Sequence, residues 1–83
     1  MAITFLRLPA VMTRRACSRS VIYAESKTGM LPPPIRIGRQ QSAWLEHELE
    51  AVLRARIAGK NETEVKKLVK KLIAARAVDL DLA

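Results

Sequence analysis

The chain has 83 residues, a net charge of +7, a single Cys and only three aromatic residues, Phe5, Tyr23 and Trp44. That is room for one small domain whose core is marginal by itself, and one Cys excludes an internal disulfide framework as the missing staple. No apolar run nears the roughly 18 residues of a bilayer span, so no membrane contact is expected, and the positive excess points to an anionic partner.

Ile3-Thr4-Phe5-Leu6-Arg7-Leu8 is a short β-favouring opening. Pro9 suits the first position of a helix over about 9–14, with Val11 and Met12 inward. The segment 1–24 lacks acids, as transit peptides do, but Arg7 and Pro9 break its apolar run and its other arginines fall where a turn and a helix tip use them. Arg15-Ala16-Cys17 makes that turn. Ser18 caps a second helix, which runs to about Thr28, where Gly29 supplies the left-handed residue that ends it.

Pro32-Pro33-Pro34 forbids a restart and delivers Ile35-Arg36-Ile37 as an extended strand. Gly38 to Gln41 turn the chain, and Ser42-Ala43-Trp44 return as the second strand of a wing. The third helix, about 45–58, carries Leu45, Leu49, Val52, Leu53 and Ile57 at core spacing. Gly59 closes it. Asn61, with Glu64 three residues on, caps a fourth helix that sets Val65, Leu68, Val69, Leu72, Ile73 and Arg76 on one face. The final 78–83 alternates apolar and acidic residues and reads as a frayed tail, with an edge strand as the alternative. The expected fold is therefore mainly α: a small winged helix-turn-helix over 1–58 with a two-stranded wing, and an amphipathic C-terminal helix and tail over 59–83.

Charge is unevenly placed. Through Leu45 the basic residues are Arg7, Arg14, Arg15, Arg19, Lys27, Arg36 and Arg39, against Glu25 alone; beyond it, bases and acids nearly balance. One half suited to phosphates and another suited to folding or pairing is the pattern of a DNA reader. Arg19 and Ser20, just inside the capped end at Ser18, are expected to meet base edges. Arg14, Arg15, Lys27 and Arg36 are phosphate candidates, and Arg39, Gln40 and Gln41 at the wing tip suit the backbone or minor groove. Tyr23 has two readings, a phosphate hydrogen bond or a cap on the core.

Other residues point away from catalysis. His47 stands alone among Glu46, Glu48 and Glu50, with Cys17 remote, so no metal site is expected. Cys17 and Trp44 read as core. No nucleophile–base pair or phosphate cradle is visible, so neither an enzyme nor a cofactor is expected.

The blocks Arg7-Leu8-Pro9-Ala10-Val11, Ser18-Arg19-Ser20-Val21-Ile22-Tyr23, Leu31-Pro32-Pro33-Pro34-Ile35-Arg36-Ile37-Gly38, Ala43-Trp44-Leu45-Glu46 with Glu48, and Ala55-Arg56-Ile57 together resemble the AlpA-type phage and prophage regulators. These are small winged helix-turn-helix proteins related to the excisionases and to MerR-type DNA-binding domains. The resemblance implies a cytoplasmic bacterial or phage-encoded protein that binds specific double-stranded DNA. It implies either a transcriptional regulator or a recombination directionality factor that bends attachment-site DNA for an integrase. A protein-interaction module is the rival class. Departures from the pattern are Ala16 and Cys17 in the turn, where glycine and leucine are usual, and Ala24-Glu25-Ser26 after Tyr23; Ser26 would turn its hydroxyl inward and bond back to a helix carbonyl. The fourth helix lies outside the resemblance. Its stripe, Val65, Leu68, Val69, Leu72 and Ile73, is expected to pack on a second copy in a homodimer or cooperative array, the alternative being a fold back onto the third helix.

Overall fold

A computed structural model describes residues 3–81. The elements are β1 (Phe5–Leu6), α1 (Leu8–Arg15), α2 (Arg19–Thr28), β2 (Ile35–Arg36), β3 (Ser42–Leu45), α3 (Glu46–Ile57) and α4 (Glu62–Asp81). This is a mainly helical, winged helix-turn-helix arrangement with a small antiparallel sheet.

Local chemistry sets the boundaries. The α1–α2 turn depends on Ala16, held in the left-handed region at φ 57°, where its amide and that of Cys17 donate to the carbonyls of Thr13 and Met12. These two bonds satisfy the last carbonyls of α1. Ser18 Oγ accepts from the Val21 amide at 3.4 Å and opens α2; Gly29, at φ 88°, ends it. Ser26 donates its hydroxyl to the Ile22 carbonyl at 3.0 Å, so the polar residue on the inward side is satisfied within the helix.

β3 is the central strand, with order β1-β3-β2. Ile35 faces Ala43 and Arg36 faces Ser42 in the wing hairpin, which the Ile37 amide closes on the Gln41 carbonyl. On the other side Phe5 faces Leu45 and Leu6 faces Trp44. The β-favouring opening is thus a strand, and its partner is the wing's return strand, so the expected two-stranded wing becomes part of a three-stranded sheet. Leu45 belongs to β3 rather than α3, and the chain passes from strand to helix without a side-chain cap.

One core joins the elements: Leu6, Val11, Ile22, Leu31, Trp44, Leu49 and Val52, with Val65 and Val69 from α4. Half-buried Cys17 packs against it. Ile57 does not belong to this core; it is 86% exposed. At about 100° per residue, the buried side of α3 is centred on Leu49, Val52 and Glu48, and Ile57 comes out on the opposite flank.

Glu48 is the polar member of that buried side, 1% exposed. Arg76 of α4 reaches it with Nε to Oε2 at 2.7 Å and Nη2 to Oε1, and the same Nη2 donates to the Pro33 carbonyl at 2.9 Å. One guanidinium thus ties α4 to α3 and to the proline segment that leads into the wing.

Asn61 Oδ1 accepts from the Glu64 amide at 2.9 Å and caps α4. That helix packs on α3. Val65 and Val69, expected on an intermolecular face, are spent inside their own chain, because the open side of a 58-residue unit leaves apolar surface that α4 covers. Leu68 and Leu72 are half-buried and Ile73 is exposed. The core therefore runs across the 58/59 division expected from sequence. The expected tail continues as helix to Asp81, while Leu82 and Ala83 lie outside the described residues. Among the described residues no helix is long and apolar enough to cross a membrane.

Candidate nucleic-acid interface

The capped end of α2 puts Arg19 and Ser20 at its first exposed turn. The wing tip, with Arg39, Gln40 and Gln41 exposed, stands beside it. Between them lies a concavity of about 410 Å³, lined by Arg7, Arg19, Tyr23, Gln40, Ser42 and Trp44 together with the first residues of α1. Three of the residues singled out from sequence, Arg19, Tyr23 and Gln40, therefore converge on one feature.

Tyr23 stands on the core's indole, as its core-cap reading has it. Its ring packs on the indole of Trp44 with centroids 6.1 Å apart and planes tilted by 56°, yet the residue is 48% exposed. Trp44 itself is core, 2% exposed. Its Nε1–H is buried without an acceptor among the described residues.

The arginines of the basic half divide into two groups. Arg15 binds Glu25 through Nε at 3.0 Å and Nη2 at 2.6 Å, and that hydrogen bond holds its pKa above the ordinary value. Arg56 reaches the same carboxylate at 3.0 Å. Arg14 pairs with Glu46 at 2.9 Å. Arg14 and Arg15, assigned to phosphates from sequence, are thus engaged by acids of their own chain. The physical reason is that the half-buried Glu25 carboxylate draws Arg15 and Arg56 by charge-assisted hydrogen bonds, while Glu46 draws Arg14 in a more exposed pair. Arg7, Arg19, Lys27, Arg36 and Arg39 make no ion pair among the described residues. Lys27, in the last turn of α2, and Arg36, on β2, do not line the concavity.

Sequence reasoning assigned no task to Arg7 or Ser42. Arg7 lies 12 positions before Arg19, and only the β1–β3 pairing brings its segment beside the wing; a net-charge count registered the residue but could not place it. Glu25 and Glu48 were legible as acids but not as hubs, because their partners are far along the chain. Among the described residues no cluster of metal-ligating side chains occurs.

Comparison with known proteins finds one family and a phage relative. The family described as prophage CP4-57 regulatory protein (AlpA) matches residues 4–57. An uncharacterized protein of Enterobacteria phage P4, ORF88, is 43% identical over 56 residues, which are 68% of this chain and 64% of that protein. The matched stretch thus covers somewhat under two-thirds of the relative. No solved structure matches.

Proposed function

Since the chain belongs to the AlpA family of prophage regulatory proteins, we propose that it regulates phage or mobile-element genes by binding a specific double-stranded DNA site in the host cytoplasm. The observation that carries this reading is the adjacency of an exposed, acid-free helix tip and an exposed basic wing on one side of the domain. α2 enters the major groove, where Arg19 offers two parallel donors to a guanine and Ser20 a hydroxyl. The wing lies along the neighbouring backbone or minor groove with Arg39, Gln40 and Gln41. Lys27 and Arg36 add sequence-independent attraction through counterion release.

Support from α4 is of another kind. The half-buried Leu68 and Leu72, the latter packed on the edge of the chain's own core, and the exposed Ile73 leave a partly open apolar strip on which copies can meet along a site, as a dimer or a cooperative array. The same DNA contacts serve a directionality factor that bends an attachment site for an integrase. A bending assay on attachment-site duplexes with an excision assay separates that role from promoter control.

The test of DNA reading compares Arg19→Ala with Arg39→Ala on cognate and random duplexes. Arg19→Ala should cost about 1–3 kcal/mol on the cognate site and little elsewhere, whereas Arg39→Ala should weaken both evenly. Equal losses on both duplexes for Arg19→Ala remove it from base reading. Undiminished association with a protein partner after both substitutions, with no duplex bound at low salt, points instead to an interaction module.

A further inference from the structure

The concavity between the start of α1, the tip of α2 and the wing has an unusual chemical lining. Its polar side chains include two guanidinium groups, Arg7 and Arg19, with Tyr23, Gln40 and Ser42 supplying hydroxyl and amide donors; no carboxylate lines it. Neither arginine is neutralised by an ion pair among the described residues, unlike Arg14, Arg15, Arg56 and Arg76.

Two further observations point to an anion. The N-terminus of α1, whose Leu8 and Pro9 form part of the lining, has no side-chain acceptor at its cap and no acid in its first turn, so the positive end of its dipole is uncompensated. The Trp44 indole, 2% exposed and part of the wall, carries a buried Nε1–H with no acceptor among the described residues. Buried donors are ordinarily satisfied. An oxyanion seated against this wall supplies the missing acceptor and balances both arginines at once.

We propose that this concavity is a phosphate seat that receives one phosphodiester of the DNA backbone, with Arg7 as its principal cation and Trp44 Nε1–H as a neutral donor. Arg19 stands on the rim and divides its donors between that phosphate and the base edge. The proposal rests on the DNA-binding reading and deepens it: the seat fixes the depth and register of α2 in the groove, a positioning role.

The chain has one Trp, so its indole N–H gives one resonance in a nitrogen-correlated NMR spectrum, and this resonance reports directly on the seat. It should shift on addition of duplex, and should shift with millimolar inorganic phosphate but not with chloride at equal ionic strength. A set of duplexes, each with one backbone phosphate replaced by a neutral methylphosphonate, then locates the contact. At one position the replacement should weaken the unaltered protein about tenfold, the scale of a charge-assisted hydrogen bond, and should leave Arg7→Gln no weaker than it already is. Arg7 is exposed and its side chain makes no cap bond, so this variant keeps the fold.

Penalties that add for Arg7→Gln at every position, or an indole resonance indifferent to bound duplex, overturn the proposal. A response to inorganic phosphate alone, in a protein that binds duplex without moving the indole, assigns the seat to a free oxyanion and overturns the backbone contact. A protein that binds no duplex yet responds to phosphate refutes the DNA reading itself and leaves an oxyanion site.

Discussion

Removing Arg76 should cost this domain more than any other single surface-reaching side chain. Its guanidinium makes three hydrogen bonds, two to the carboxylate of Glu48 and one to the Pro33 carbonyl, and the carboxylate it neutralises is 1% exposed. Arg76→Met keeps much of the apolar stem but leaves that anion buried and unpaired, a loss of about 3–5 kcal/mol in comparable sites. At about 0.05–0.15 kcal/mol per residue, a domain of this size has only about 4–12 kcal/mol in total. Thermal unfolding followed by circular dichroism should therefore drop by at least about 12 °C, on a scale of about 4 °C or more per kcal/mol for a domain this small. The double variant Arg76→Met with Glu48→Leu discriminates the cause, because replacing both partners with apolar groups removes the orphaned charge and should recover most of the loss. Arg76→Lys, which keeps a charge but not the planar fork, should fall between. A single variant within about 0.5 kcal/mol of the parent, the range of ordinary surface changes, or a double variant as damaged as the single, refutes the reasoning.

Two other substitutions test local features. Ala16→Gly should stabilise the α1–α2 turn by about 1 kcal/mol, the left-handed penalty relieved at φ 57° less the extra chain entropy of glycine; chemical denaturation that shows a loss instead would place a packing role on the Ala16 methyl. Ile57→Ser should change stability by no more than about 0.5 kcal/mol, as an exposed position does, and a loss of 2 kcal/mol or more by the same measurement would return Ile57 to a buried face.

Short-range chemistry was the legible part of this fold. A cap such as Ser18, a left-handed glycine such as Gly29, and three consecutive prolines act within a turn of themselves, so their consequences could be read where they stand. The wing hairpin followed from alternation and the Gly38–Gln41 loop for the same reason. What was not legible depended on partners distant in the chain. A hydrophobic period places Leu49 and Val52 inward but assigns Ile57 to the same side and rejects Glu48, because it has no knowledge of Arg76, 28 residues later. Periodicity sets a stripe on α4 but says nothing about which surface receives it. At the candidate site, Arg19 and Gln40 announced themselves by standing at a helix tip and a loop tip; Arg7 acquired a role only when β1 paired with β3.

The arginines of this chain divide into those that hold the fold and those left without an acid among the described residues. Arg15 and Arg76 each grip a carboxylate in two-pronged fashion, and Arg56 adds a third guanidinium to the folded ion pairs. The planar guanidinium suits this, since its donors match a carboxylate while being less strongly hydrated than an ammonium. The lysines of α4 serve differently: Lys67, Lys70 and Lys71 are exposed, and their hydrated charges keep the outer face of that helix in water. Against that background, Arg7 and Arg19 share a concavity without an acid, with Arg39 on the neighbouring wing. The same fork that binds a carboxylate inside the domain has the geometry to match a phosphate or a guanine edge, the use that the proposed function makes of it. A raw charge count merges these groups, whereas subtracting the arginines held by Glu25 and Glu46 leaves, among the arginines of the basic half, Arg7 and Arg19 at the concavity and Arg36 and Arg39 on the wing. The free arginines depend on the internal pairs indirectly: each acid that retains an arginine within the fold fixes a helix or the wing, and with it the place of the concavity that Arg7 and Arg19 share.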